Sequence, residues 1–357
     1  MADDALALLR CPVTRQPLRA AAGAGEFHAM QSAGGATPLG ATDTLCVTDD
    51  GQHAYPVVAG VPVLMAPERL SRTPAEHTGL DVSLPPFAES YAERALYAGL
   101  AAQRGNDLLL RRLRALLAEA DPSTFPEPTR HWHSGGSTAA AYAAALRHLA
   151  PVAGRTVLQI GGIGSHAIKL VHAGAAHAVV VSPVIEELIE GARLATAFGM
   201  AERMTFVAGL AEQLPLASGS VDRVYSGSSM HHTVTSQSFP EVARVLSAGG
   251  RFASVDVWRG GRLYDVGVRV FGKQHGNAFC VPLDRSRIHP AEVAFSQTSV
   301  TWHGAIARYG LALGERLGRQ TPPAVAERVT GWEDRVAARL PGQARGLASI
   351  VLVRGVA

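Results

Sequence analysis

The chain has 357 residues, of which 47% are apolar, 18% charged and 6% aromatic, and its formal net charge is +3. That length allows two or three domains with a self-sustaining core and excludes a miniprotein that needs staples. The positive charge is thinly spread, without the basic stripe of a nucleic-acid binder, and Cys 3 is too few for a disulfide scaffold. The opening Met1-Ala2-Asp3-Asp4 is acidic where a secretory leader would be basic. No apolar run reaches the ~18 residues of a membrane span. These features predict a soluble cytoplasmic protein with neither a membrane nor a nucleic acid as partner.

Residues 1–66 read as a small β unit. LLRCPVTRQPL supplies an apolar turn and a Cys-Pro knuckle. The Gly/Ala-rich stretch 21–40 has little periodicity and is expected to be a loop. TLCVTDDGQHAYPVVAGVPVLM then reads as two short strands joined at Asp50-Gly51. Residues 67–150 read as a helical connection or cap. Apolar residues recur at threes and fours over about 88–120, including Tyr91, Leu96, Leu100, Leu109, Leu113 and Leu117, until Pro122, Pro126 and Pro128 interrupt. In HWHSGGSTAAAYAAALRHLAP, Ser137 or Thr138 is placed to cap a helix ending before Pro151.

From residue 155 strands and helices alternate. Strands are expected at 156–160, 178–181, 204–209, 221–226, 251–257 and 347–356, with helices at 165–173 and 184–199. That spacing implies an α/β fold with a doubly wound, mostly parallel, Rossmann-like sheet over 151–357 and an insertion at about 260–346. Within the insertion, Pro282-Leu283 and His289-Pro290 are expected in loops that close over the pocket, and Cys280 is expected to be a buried thiol.

The run AERMTFVAGLAEQLPLASGSVDRVYSGSSMHHTVTSQSFPEVARVLSAGGRFASVDV resembles the class I S-adenosylmethionine (SAM) methyltransferases from their third strand to their fifth. The LP before a Gly/Ser turn, the MHH after the fourth strand and RVLSAGGRF before the fifth carry the likeness, which covers about 150–260. It implies SAM lying across the carboxyl ends of the strands. The residues it places beside that cofactor are Gln159, Gly161, Gly162, Gly164, Ser182, Leu210 and Ala211. Gln159, Ser182 and Leu210 occupy positions where the family usually has acids, and VLQIGGIGS shifts two glycines by one place. The resemblance also implies a role for His232, next to His231, in placing or deprotonating the substrate, where simple packing is the alternative. Asp256 ends the fifth strand and is a candidate catalytic acid facing the pocket, or else a strand-end turn residue. The N-terminal unit resembles the zinc-ribbon-like domain ahead of some bacterial methyltransferases. Its knuckles read Cys11-Pro-Val-Thr14 and Cys46-Val-Thr-Asp49, and two ligands do not close a zinc site.

Histidines crowd the same loops. In an extended segment His131 and His133 would point to one side, and with His166 they could hold zinc or iron. Each also has a plainer reading, as a packed or capping imidazole. Tyr225 reads as core more readily than as catalyst, and Trp132 as the lining of an apolar pocket or a staple for the following helix. Three functions are thus open: a SAM-dependent methyltransferase acting on a natural-product small molecule, an enzyme of the same fold using a His-rich metal site for oxidation, hydrolysis or cyclisation, and a non-catalytic partner subunit. A homo-oligomer is compatible with each.

Overall fold

The structure, a computed structural model, describes residues 3–30, 36–65, 106–133, 138–260, 281–304 and 321–357, with Gly136 and scattered positions between 307 and 319. Helix α1 (Asp3–Leu8) precedes an antiparallel sheet of β1 (Leu18–Met30), β2 (Ala36–Thr48), β3 (Ala54–Val58) and β4 (Val61–Pro62), paired in that order. The β1–β2 pair corrects the expected loop at 21–40, because Ala21 pairs with Leu45 and Met30 with Ala36. A ladder is made by backbone N–H and C=O groups, so Ala and Gly enter it without the alternation that a half-buried strand displays. Asp50-Gly51 does make the next turn. Gly51 has φ +68°, and the Asp50 carboxylate accepts hydrogen bonds from Thr48 Oγ1 (2.6 Å) and the Gln52 N–H (3.0 Å).

The chain continues through α2 (Asn106–Glu119) and α3 (Ala139–Leu149) into strictly alternating elements. These are β5 (Thr156–Ile160), α4 (Ser165–His172), β6 (His177–Ser182), α5 (Ile185–Ala197) and β7 (Met204–Ala208). Next come β8 (Val221–Gly227), α6 (Thr235–Val245) and β9 (Leu246–Val257). The C-terminal part supplies α7 (Arg285–Ala294), β10 (Gln297–His303), α8 (Pro323–Arg339), α9 (Pro341–Leu347) and β11 (Ile350–Val356). Among the described residues the main sheet is seven-stranded, in the order β10-β11-β9-β8-β5-β6-β7. β5 to β9 run parallel, and β11 lies antiparallel between β9 and β10. The expected doubly wound α/β fold is therefore the one observed. The segment read as an insertion supplies the edge strand β10, and His289-Pro290 lies inside α7 rather than in a loop. The periodic stretch before Asn106, Ser137 and Cys280 lie outside the described residues.

Side chains alternate across the sheet as the pleat requires. Val157 and Tyr225 face a layer containing Trp132, Leu146, Ile168 and Leu188, while Leu158 and Val224 face one containing Phe239 and Phe252. The N-terminal unit wraps the free edge of β7. Val63 bridges to Ala208, Leu64 N–H donates to the Ala208 carbonyl (2.7 Å), and Leu9 bridges to Leu216. An uncovered edge strand invites pairing with other chains, and this wrap closes it. Among the described residues no helix is long and apolar enough to cross a membrane.

Leu64 is fully buried in a core shared by the two sheets. Leu64→Ala is expected to cost about 2–5 kcal/mol of stability, read by urea denaturation. A loss under ~1 kcal/mol would show that the N-terminal unit does not share the main core.

Candidate active site

Strand order reverses at β5, which has β6 on one side and β8 on the other. In an open parallel sheet the crevice at such a switch point, beyond the carboxyl ends of the strands, is where ligands bind. A cleft of about 220 Å³ lies there, lined among others by Gly161, Ser182, Glu187, Leu210, Glu212 and His232.

The turn after β5 is built on glycine because its backbone is left-handed, with φ +79° at Gly161, +70° at Gly162 and +85° at Gly164. A Cβ on Gly161 would stand 2.0 Å from Ser229 Oγ, so this turn and the one after β8 touch. Gly161 and Gly162 line the cleft, but Gly164 does not. It opens α4, and a Cβ there would meet Phe206 at 2.8 Å. Gln159 also stands apart from the lining. Its Nε2 donates to the Gly161 carbonyl (2.7 Å) and its Oε1 accepts from the Ala167 N–H (2.7 Å), so the amide clamps the turn from beneath. Gln159 and Gly164, expected beside the cofactor, are thus outside the lining of the cleft and shape the turn. Ser182, Leu210 and Ala211 do line the cleft, and Ser182 Oγ accepts from the Val184 N–H (3.3 Å).

Two carboxylates that the sequence reading passed over also line the cleft. Glu187 belongs to the first turn of α5, five residues past Ser182 in the chain. Glu212 stands two places after Leu210, and its Oε1 accepts from the Val234 N–H (2.7 Å). The signal for both was in the sequence, as an acidic first helical turn and as the acid of GLAEQLP.

The MHH segment forms a 3-10 turn, Met230–His232, after β8. His232 lines the cleft. His231 and Asp256 lie behind it, buried, which corrects the expectation that Asp256 faces the pocket. The Asp256 Oδ1 accepts from the His231 backbone N–H (3.2 Å) and pairs with His231 Nδ1 (2.8 Å), while Ser254 Oγ donates to Oδ2. The His231 ring stacks on His232 with centroids 4.0 Å apart. From α7, the Arg287 guanidinium donates to the carbonyls of His231 (3.1 Å) and Thr233 (2.6 Å). Glu212, Asp256 and Arg287 thus fix the turn that carries His232. Arg287 had no motif to announce it.

The histidine metal site is not assembled. Residues Thr129–His131 form a 3-10 turn and Trp132 follows with helical backbone, so His131 and His133 do not share a side as they would in an extended segment. His166 Nε2 bonds the Tyr142 hydroxyl (2.9 Å). Burial pushes His133 down to about 4 and His166 well below the ordinary imidazole range, keeping both neutral. Among the described residues no three His, Cys, Asp or Glu side chains are placed to hold a metal, so the zinc or iron expectation at His131, His133 and His166 is corrected. In the N-terminal unit Cys11 and Cys46 are free and buried, and Cys11 Sγ lies 3.2 Å from the Tyr55 hydroxyl.

The clamp generates a prediction. Glu at position 159 could accept from Ala167 but could not donate to the Gly161 carbonyl, and its charge would be buried. Restoring an acid by Gln159→Glu is therefore expected to cost about 1–3 kcal/mol in denaturant titration. Unchanged stability would show that the two-sided bond is not made.

Residues 158–254 match the family model described as a methyltransferase domain. An uncharacterized methyltransferase of Mycobacterium bovis is 38% identical over 112 residues, 31% of this chain and 43% of that protein. The ubiquinone/menaquinone biosynthesis C-methyltransferase of Roseobacter denitrificans is 38% identical over 107 residues, 29% of this chain and 42% of that protein. The match thus spans less than half the length of these curated relatives. Among solved structures, the geranyl diphosphate C-methyltransferase of Streptomyces coelicolor A3(2) superposes with a TM-score of 0.43 at 15% identity, over 60% of this chain and 76% of that one. Phosphoethanolamine N-methyltransferase 2 of Haemonchus contortus gives 0.43 at 18% identity, over 66% and 60%. The family match and the observed sheet agree that the C-terminal part of the chain carries a methyltransferase domain, matched over residues 158–254.

Proposed function

We propose that this protein is a SAM-dependent methyltransferase acting on a small molecule. The observation that carries the reading is the cleft at the β5 switch point, in which a glycine turn and two carboxylates share one lining. Its residues suit the cofactor. A Cβ at Gly161 would collide with Ser229, so glycine there lets the two turns close at one side of the cleft, while a Cβ at Gly162 would have only Gln159 Nε2 near it, at 3.7 Å. Gly161 and Gly162 would meet the methionine portion, and Glu187 would take the ribose hydroxyls in place of an acid at Ser182. Leu210 and Ala211 would cover the adenine, with Glu212 below. SAM supplies an electrophilic methyl group when bound.

What remains for the protein is to orient the acceptor and to take its proton. His232 is the group in the lining suited to both tasks. Asp256 and His231 act through it as positioning residues, because they hold the 3-10 turn rather than line the cleft.

Isothermal titration with SAM and with S-adenosylhomocysteine tests the reading, and micromolar binding is expected. Absence of heat at millimolar ligand would overturn it. Glu187→Gln is expected to weaken SAM about tenfold by removing a charge-assisted bond. His232→Gln should leave SAM affinity unchanged and lower turnover, measured by product formation once an acceptor is in hand. An equal loss of SAM affinity would place His232 in cofactor binding instead.

A further inference from the structure

Helix α8 has three faces. Ala326, Thr330 and Glu333 are buried against the rest of the chain. Val325, Val329, Trp332 and Val336 make a second row, and their spacings of four, three and four keep them on one side of the helix. Arg328, Arg335 and Arg339 make a third row along one flank of the second. We propose that this outer face of α8 docks on the surface of an anionic lipid bilayer, with the apolar row among the acyl chains and the arginines against the headgroup phosphates. The proposal does not rest on the methyltransferase reading.

The first observation is exposure. The four apolar side chains of the row are between 38% and 62% exposed, Trp332 the most, and Leu340 just past the helix is half exposed. At about 1.5 Å per residue the row runs about 17 Å from Val325 to Val336. A continuous apolar ridge turned to water marks a surface that meets something else.

The second is the sorting of charge. All three acids of α8 are engaged on the inner side. Glu327 accepts from the Thr129 hydroxyl, Glu333 from the Ala307 N–H (2.9 Å), and Asp334 pairs with His303 Nδ1 (2.6 Å). Arg328, Arg335 and Arg339 are exposed and, among the described residues, none is in an ion pair. Every exposed residue described in α8 is Ala, Val, Trp or Arg. Apolar side chains with a tryptophan, edged by cations alone, are the composition of a helix lying in a membrane interface. Phosphate headgroups supply the negative charge that the outer face lacks.

A second copy of the chain suits the face less well. In an antiparallel two-fold pair each flank meets its own counterpart, so one arginine row would confront another. In a parallel pair the arginines would meet the flank by which the other copy holds its own core. A folded acidic partner would have to supply a groove for the convex side of one helix, whereas a fluid acyl layer encloses it. A helix that lies in the interface plane does not cross, so the absence of a spanning helix among the described residues does not oppose it. The position of α8 is also suitable. β10 runs parallel to β9 across the antiparallel β11, and His303 at its end holds Asp334, so α8 stands at the carboxyl end of the sheet, where the cleft lies.

The test uses the whole chain without SAM, and vesicles of phosphatidylcholine alone or mixed equally with phosphatidylglycerol. Co-sedimentation with the mixed vesicles is expected to be about tenfold or more stronger than with phosphatidylcholine, and to weaken as salt is added. Lipids brominated on their acyl chains should quench tryptophan emission, and Trp332→Ser should remove that quenching. Replacing Arg328 and Arg335 together by Ala should weaken binding about tenfold or more, with the melting temperature unchanged because both side chains are exposed. Should that double variant not fold, Arg328→Gln alone is expected to weaken binding about fivefold. Equal binding to the two compositions, binding indifferent to the arginine substitutions, or quenching that survives Trp332→Ser would each overturn the proposal. A dimer that Trp332→Ser converts to monomer, with no vesicle binding, would overturn it in favour of a second copy. Capture of an acidic amphipathic peptide with vesicles left unbound would do so in favour of a protein partner. Vesicle binding in a protein that takes up no SAM retires the cofactor reading alone.

Discussion

The side-chain amide of Gln159 joins the end of β5 to the start of α4, and the shape of the cleft follows from that bridge. A parallel strand that ends in a glycine turn leaves a loop with left-handed residues and few internal bonds to hold it. Here one amide fills the gap from both ends, donating to Gly161 and accepting from Ala167. With the turn fixed, Gly161 can lie against Ser229 without room for a methyl group, and Gly164 against Phe206. A carboxylate at that place supplies only the accepting half. Gln159 is thus better understood as part of the frame than as a weakened ligand.

The opposite wall is fixed by a different device. The turn carrying His232 is held at successive backbone groups by Asp256 beneath, Arg287 from α7 and Glu212 from the segment after β7. Three elements distant in the chain converge on one 3-10 turn, which leaves the imidazole little freedom to wander. Orientation of this kind is what a transfer reaction asks of its protein, because most of the achievable acceleration comes from holding reactants in line. Each of the three charged groups bonds backbone in this turn, and Asp256 also holds the His231 imidazole and the Ser254 hydroxyl, so their contribution is geometric.

How much of this the sequence displayed depended on what each residue reports. The parallel strands were legible because β5 to β8 are mostly buried on both faces, with runs of Val, Leu and Ile in β5 and β6 and apolar residues through most of β7. β10 was not, since QTSVTWH is half-exposed at a sheet edge and polar enough to pass for loop. The hairpin of β1 and β2 escaped because small residues pair by backbone alone. For the site, reading down a motif locates positions along the chain but not in space. It registered Ser182 and Leu210 as missing acids and overlooked Glu187 and Glu212, which a helical turn and a 3-10 turn bring to the same lining. The HWH pair failed for a related reason. Two residues apart means one side in a strand and diverging sides in a helical turn, and the residues themselves do not say which applies.

Lys169 shows the same limit from the energetic side. In SHAIKLVH a lysine midway along a short helix reads as a solvated position, yet it sits inward beside His166 and beneath Tyr142. An apolar residue there would fill the volume without the desolvation a cation suffers, and Leu170 and Ile168 next to it show that the helix supplies such residues readily. The neighbouring Tyr225, Trp132 and His166 add donors whose own burial without partners is unfavourable.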